Sequence, residues 1–175
     1  TQNLTIQYFG WIKEKYNISD PILQDSSIKE YLNIYYPITS VLPDIAENKL
    51  TVNRDADNQD VVNYIELLNK IELPQGFLNY QELYEKTLAG QTVDIDSILN
   101  ELNASAEKLY KLTVPEKALE IHKKYIGVME TLKIIFADLK NTRKDPILIK
   151  LNIKKGQELA KIAGSLEKEK IELLQ

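Results

Sequence analysis

His122 is the only histidine in the chain, and it falls in the middle of an apolar helical stripe. An imidazole in that position invites two chemistries, proton transfer and metal ligation. Both need a carboxylate or a second ligand one helical turn away. The flanking positions on its own face are Ala118, Leu119, Tyr125 and Ile126, and Glu120 points elsewhere on the helix. Helical bundles hold paired metals through Glu-x-x-His motifs, and Leu119 stands where that glutamate would have to be. His122 reads as a core histidine with its polar atoms satisfied.

Asp55, Asp57 and Glu66 fall at the first, third and twelfth positions of a calcium loop. The sixth position needs a glycine for its sharp turn and holds Asp60 instead, and no clear helix precedes Asp55. A turn and a helix cap account better for this stretch, with Asp57, Asn58 and Asp60 feeding the first turn of the next helix. The chain has no cysteine, which excludes disulfides, thiol catalysis and thiolate metal sites. It has no phosphate-cradling glycine loop and no nucleophile elbow, and a serine triad would have to draw on His122. No catalytic residue, cofactor or metal ligand is assigned.

Recognition is the other use of side chains. Ile134, Ile149 and Ile153 fall off the main helical seams and are candidates for a partner surface. Tyr31, Tyr35 and Tyr36 cluster near one proline-punctuated stretch, and tyrosine is common at recognition surfaces. The alternatives are scattered exposed apolar residues, which are normal, and rings that pack over one end of a bundle. Gly127 costs about 1 kcal/mol against alanine inside a helix. It falls on the polar side, where a further helix or a partner chain could pack closely.

The element that must position most of these residues runs from Val114 to Leu139. Its seam is Ala118, His122, Tyr125, Met129, Leu132, Phe136 and Leu139, stepping alternately by four and three. Ile121, Val128, Ile135, Leu119 and Ile126 widen the apolar arc, so more than one neighbour has to cover it. Pro115 suits the first helical position. Glu116, Lys117, Glu120, Lys123, Lys124, Glu130 and Lys133 form a solvated face.

Around this central helix the sequence predicts three more of consequence. One runs from Asp57 or Asn58 to about Ile71, with Val61, Ile65 and Leu68 inward and Val62, Tyr64 and Ile71 beside them. Pro74 and Gly76 break it, and Asn79 with Glu82 starts a short helix to Leu88, ended by Gly90. Another opens at Asp94 or Asp96 and runs to Leu112 on the seam Ile95, Leu99, Leu102, Ala106 and Leu109. Only Thr113 and Val114 separate it from the central helix, so the two should be antiparallel neighbours. A tight turn from Asn141 leads to Asp145-Pro146, a cap followed by a first-turn proline, and a last helix with Leu148, Leu151, Leu159, Ile162, Leu166 and Leu173 inward. Lys155 and Glu169 interrupt that seam; a lysine there lays its stem on the core and its tip in water.

The first 53 residues are less regular. Residues 1–17 read as an amphipathic helix capped by Asn3, with Leu4, Tyr8, Trp11, Ile12 and Lys15 on one side; the alternation Leu4, Ile6, Tyr8 is the rival strand reading. Pro21, Pro37 and Pro43 punctuate the stretch up to Asn53, and a short helix spans Ser26 to Tyr35 with Ser26 or Ser27 as its cap. The expectation is a single all-α domain over residues 1–175: an irregular section at 1–53 and an up-and-down bundle with four main helices at 57–173.

Net charge is −4 with both signs interleaved, so no basic surface for nucleic acid is visible. Hydrophobic residues make up 43% and charged ones 27%, a globular balance, and no window approaches a membrane span. The chain starts at Thr1 without a methionine, as a trimmed or mature product would, and that start is compatible with an upstream signal or anchor.

Asn3-Leu-Thr5, the run from Leu50 to Asn58 leading to Tyr64, the run from Leu112 to His122, and Arg143-Lys-Asp-Pro146 form a combined pattern. It resembles membrane-anchored helical proteins of ultra-small candidate-phylum bacteria. The resemblance implies an amino-terminal membrane helix upstream of Thr1, an extracytoplasmic helical part, and a place near secretion or pilus systems. It carries over no site residues. The functional expectation is a non-enzymatic interaction or structural module of the cell envelope, with a protein partner or self-association. The alternative is a ligand-binding or sensor bundle in which Trp11 and the tyrosines line a pocket.

Overall fold

The computed structural model describes residues 3–19, 21–37, 41–71, 82–83, 85–86, 89, 91, 93–141 and 145–174. Among them are six α-helices: α1 (Leu4–Tyr16), α2 (Asp25–Tyr35), α3 (Asn58–Asn69), α4 (Ile95–Lys111), α5 (Leu119–Asn141) and α6 (Pro146–Glu172). Two short strands, β1 (Thr51–Asn53) and β2 (Thr113–Pro115), accompany them. The described residues are mostly helical, at 75% helix and 4% strand.

Most helix starts obey local capping chemistry. Asn3 Oδ1 accepts from the Thr5 and Ile6 amides, and Asp57 and Asp60 form a reciprocal capping box on α3. Asp94 accepts from the Ser97 amide at 3.0 Å. Asp145 caps α6, with Pro146 in its first turn. The same carboxylate also reaches α1: its Oδ2 accepts from the Leu4 amide at 2.6 Å and its Oδ1 from the Thr5 hydroxyl at 2.7 Å. One buried anion thus sits at the positive ends of two helices. α2 departs from expectation. It begins one residue earlier, its N-cap is Gln24 without a side-chain bond, and the Ser27 hydroxyl pairs with the Tyr8 phenol at 2.6 Å. That pair is buried, where an unmatched phenol would cost more than a missing cap.

Pro115 is not the first residue of a helix. It ends β2, which pairs in parallel with β1 in the register Thr51 to Thr113, Val52 to Val114 and Asn53 to Pro115. A 3₁₀ turn at Glu116–Ala118 comes next, and α5 starts only at Leu119. The link expected to be a two-residue connection is therefore a strand. Arg54, just after β1, bonds Glu47 at 2.6 Å and Glu116 at 2.5 Å, tying both flanks of the small sheet together.

α5 packs most extensively on α4 and next on α6. Ala118, His122, Met129, Leu132, Phe136 and Leu139 of the expected seam are buried and Tyr125 is half-buried. Leu119, Ile121, Ile126, Val128 and Ile135 are buried as well. The face expected to be solvated is only partly so: Glu116, Lys117 and Glu120 are exposed, whereas Lys123, Lys124, Glu130 and Lys133 are half-covered. Lys124 pairs with Glu169 of α6 and Lys133 with Glu130, and residues 41–45 form a strap laid over α5 on the side of Gly127 and Thr131. Leu42 Cβ lies 3.1 Å from where a Cβ on Gly127 would be, and the Thr131 hydroxyl is shared between the Val41 carbonyl at 3.0 Å and the Gly127 carbonyl at 2.9 Å. Gly127 does mark a close approach, and its occupant is this chain's own strap.

Two apolar cores result. The larger gathers residues from α3 to α6 with Ile45 and Val114. The smaller holds Leu4, Tyr8, Ile12, Ile28, Tyr31, Leu32, Ile147 and Leu151. α6 serves both, giving Ile147 and Leu151 to the smaller core and Ile149, Leu159 and Leu166 to the larger. Val62, expected beside the inner face of α3, is exposed. Of the short helix expected at 79–88, Glu82, Leu83, Glu85 and Lys86 are helical. Asn79, Tyr84, Leu88 and Gly90 lie outside the described residues, as do Pro74, Gly76 and the turn at 142–144.

Candidate functional site

His122 is fully buried between α3, α4 and α5, and its Nδ1 is 3.0 Å from the Tyr64 hydroxyl. Loss of hydration lowers its pKa to about 4, against a weaker upward pull from the Leu109 backbone. Burial also pushes the Tyr64 phenol upward. The imidazole is neutral at neutral pH; its Nδ1 pairs with the Tyr64 hydroxyl, while Nε2 is buried without a hydrogen-bond partner among the described residues, so the expected full satisfaction is only half met. This is an internal tie between helices, out of reach of any substrate.

The acidic stretch after β1 is consumed locally. Asp57 and Asp60 cap each other's backbone, and Asn53 Oδ1 accepts from the Asp55 amide at 3.1 Å. Among the described residues no group of three or more histidine, aspartate or glutamate side chains converges as a metal site.

The six candidate partner residues divide. Ile149 is 7% exposed and belongs to the larger core, and Ile153 is half-buried against it. α6 has a wider apolar arc than its seam suggested, which removes Ile149 from the expected surface and leaves Ile153 half-covered. Tyr31 is 3% exposed and leaves the surface too. It is the hub of an aromatic cluster, with ring centroids of Tyr8, Trp11, Tyr35 and Tyr36 at 5.7, 5.4, 5.1 and 6.0 Å. These rings pack between α1, α2 and the start of α6, and Tyr36 also lines a groove beside α5. Tyr36 is half-buried and Tyr35 exposed. Ile134 is exposed at 51%.

Two concave surfaces of the described residues are lined by exposed apolar side chains. The first lies at the turn joining α1 to α2, a hollow of about 380 Å³ walled by Ile12, Tyr16, Ile18, Ile22, Ser27 and Glu30, among others. Ile22 is 62% exposed, and Tyr16, Ile18 and Leu23 are exposed with it. Glu30 bonds the Lys15 ammonium and, at 3.1 Å, the Tyr16 hydroxyl, which braces the rim. Lys15 also lies 4.9 Å from the Trp11 ring centroid, within cation–π reach. The second is a groove of about 350 Å³ between the strap, α5 and α6, with Ile134 on its floor and Lys155 at its side. Sequence reasoning missed the isoleucines of the first because they lie in a loop without periodicity; Pro21 was the only mark of a special segment there. It placed Lys155 correctly as an interruption but had no means of setting it beside a groove.

No protein-family model matches the chain, and no curated protein or solved structure matches it.

Proposed function

We propose that the chain is a non-enzymatic helical interaction module, and that it docks a protein, first of all a second copy of itself, on the turn end of the α1–α2 hairpin. The observation that carries this is the grouping of Tyr16, Ile18 and Ile22 around one hollow, exposed at the turn of a hairpin whose Leu4, Tyr8, Ile12, Ile28, Tyr31 and Leu32 are in the smaller core. Exposed isoleucines singly are ordinary; several around one concavity mark an interaction site. The way chemistry-bearing residues are spent supports the same reading, with His122 tied inside the core and Asp57, Asp60, Asp94 and Asp145 engaged as caps. The up-and-down arrangement of α3 to α6 and a place at the cell envelope belong to this proposal, the latter on the resemblance alone. Among the described residues no helix is long and apolar enough to cross a membrane.

The test is light scattering on size-exclusion fractions over a concentration series, with Ile18→Glu and Ile22→Glu as variants. Association that weakens with protein dilution and disappears in both variants supports the hairpin surface. Association unchanged by either substitution overturns it. A second reading, a ligand-binding bundle, is favoured by the groove beside Ile134, the place where the otherwise covered α5 opens to solvent with an apolar residue.

A further inference from the structure

We propose that the groove beside Ile134 binds a small amphipathic carboxylate, an alkyl acid whose tail lies on the apolar walls and whose headgroup meets the Lys155 ammonium. The inference rests on the ligand-binding reading and is independent of the hairpin surface.

The walls are Tyr36 and Pro37 after α2, Val41, Leu42 and Pro43 of the strap, Thr131 and Ile134 of α5 and Leu151 of α6. Among the described residues, Lys155 is the only charged one lining the groove. It is half-buried, and no described residue bonds or pairs with it. Other lysines of α6 are engaged: Lys150 with Asp25, Lys154 with Asn33 at 2.7 Å and Lys161 with Glu158 at 2.7 Å. Asp138, one turn beyond Ile134, bonds the Asn152 amide at 3.2 Å and does not line the groove. A cation on an apolar wall without a carboxylate beside it favours an anionic group brought by a ligand.

The same walls limit which anion. A phosphate or sulfate is held by several converging donors. Among the described residues lining it, the Thr131 hydroxyl proton is taken by the Val41 or Gly127 carbonyl and the Tyr36 hydroxyl donates to Gln7 Oε1, which leaves the side-chain ammonium of Lys155. A singly charged headgroup on an apolar body fits that inventory. At roughly 30 Å³ for each small group, the groove of about 350 Å³ takes on the order of a dozen non-hydrogen atoms.

Decanoate is a probe of about that size, and decanol is its uncharged counterpart. Both would be titrated below their aggregation concentrations into methyl-labelled protein and followed by NMR. Decanoate is expected to move the methyl signals of Ile134, Leu42 and Leu151 and to raise the melting temperature. Lys155→Gln should weaken it at least tenfold, Lys155→Arg should keep it, and Ile134→Glu, an exposed site that adds a like charge, should abolish it. Equal binding of decanol, or unchanged binding by Lys155→Gln, would overturn the carboxylate assignment while keeping a ligand groove. No movement at Ile134 with either compound would overturn the groove reading as well.

Discussion

At the scale of single residues, the structure turns on two buried polar groups. His122 is fully buried with a pKa lowered to about 4, while in the unfolded chain it titrates near the ordinary 6.5. Between those values the unfolded state binds a proton that the folded state refuses, so stability falls as pH drops through that window. Above about 6.5 the contribution is fully present; below about 4 it is lost, on the order of 3 kcal/mol in all. Urea denaturation at a series of pH values should show this slope, and His122→Gln, which keeps an acceptor for Tyr64, should flatten it. Asp145 is the second group. It accepts from the Leu4 amide and Thr5 hydroxyl on α1 and from the Ile147 and Leu148 amides on α6. Asp145→Ala removes two caps at once and is expected to cost about 2–4 kcal/mol, against roughly 1 for an ordinary cap. Thermal melts of this variant beside Asp94→Ala, a single exposed cap, test the comparison.

At the scale of elements, the α1–α2 hairpin is held by the smaller core and by Asp145, apart from the core around α5. Tyr31→Ala deletes the hub of the aromatic cluster, a loss of about 3–5 kcal/mol by analogy with other buried aromatic truncations. Because the two cores are separate, hydrogen exchange should show the loss in the amides of α1 and α2 while α4 and α5 keep their protection. Equal loss in all four helices would mean that the cores unfold as one. The strap offers a second element-scale experiment. Gly127→Ala would gain about 1 kcal/mol of helix propensity, but its methyl group meets Leu42 Cβ at 3.1 Å, an atom fixed to the strap's backbone. The two effects should nearly cancel in the melting temperature. Gly127→Leu must displace the strap and should cost about 1–3 kcal/mol, with movement of the Leu42 methyl signals.

At the scale of the whole molecule, the helices and their starting residues were largely legible and their covering was not. Asn3, Asp57 with Asp60, Asp94 and Asp145-Pro146 were readable because a cap is a contract between residues two or three apart. The same holds for the central seam, since a helical period repeats within its own segment. Pro115 obeyed the local rule for a helix start and was overruled by pairing with Thr51–Asn53, a partner about sixty residues away. Ser27 looked like a cap and instead serves Tyr8. Ile149 and Tyr31 looked like surface and are buried, because two cores meet along α6 where one was expected. Lys123, Lys124, Glu130 and Lys133 looked solvated and are half-covered, Lys124 by its pairing with Glu169 of α6. By itself, then, the sequence determined the all-helical class, the bounds of most helices and the absence of thiol chemistry, each of which depends on composition or on near neighbours. Only the tertiary structure decided the small parallel sheet, the division into two cores, and which apolar residues stay outside. Those outcomes depend on contacts between segments far apart in the chain, and burial is settled by what arrives from elsewhere to cover a face.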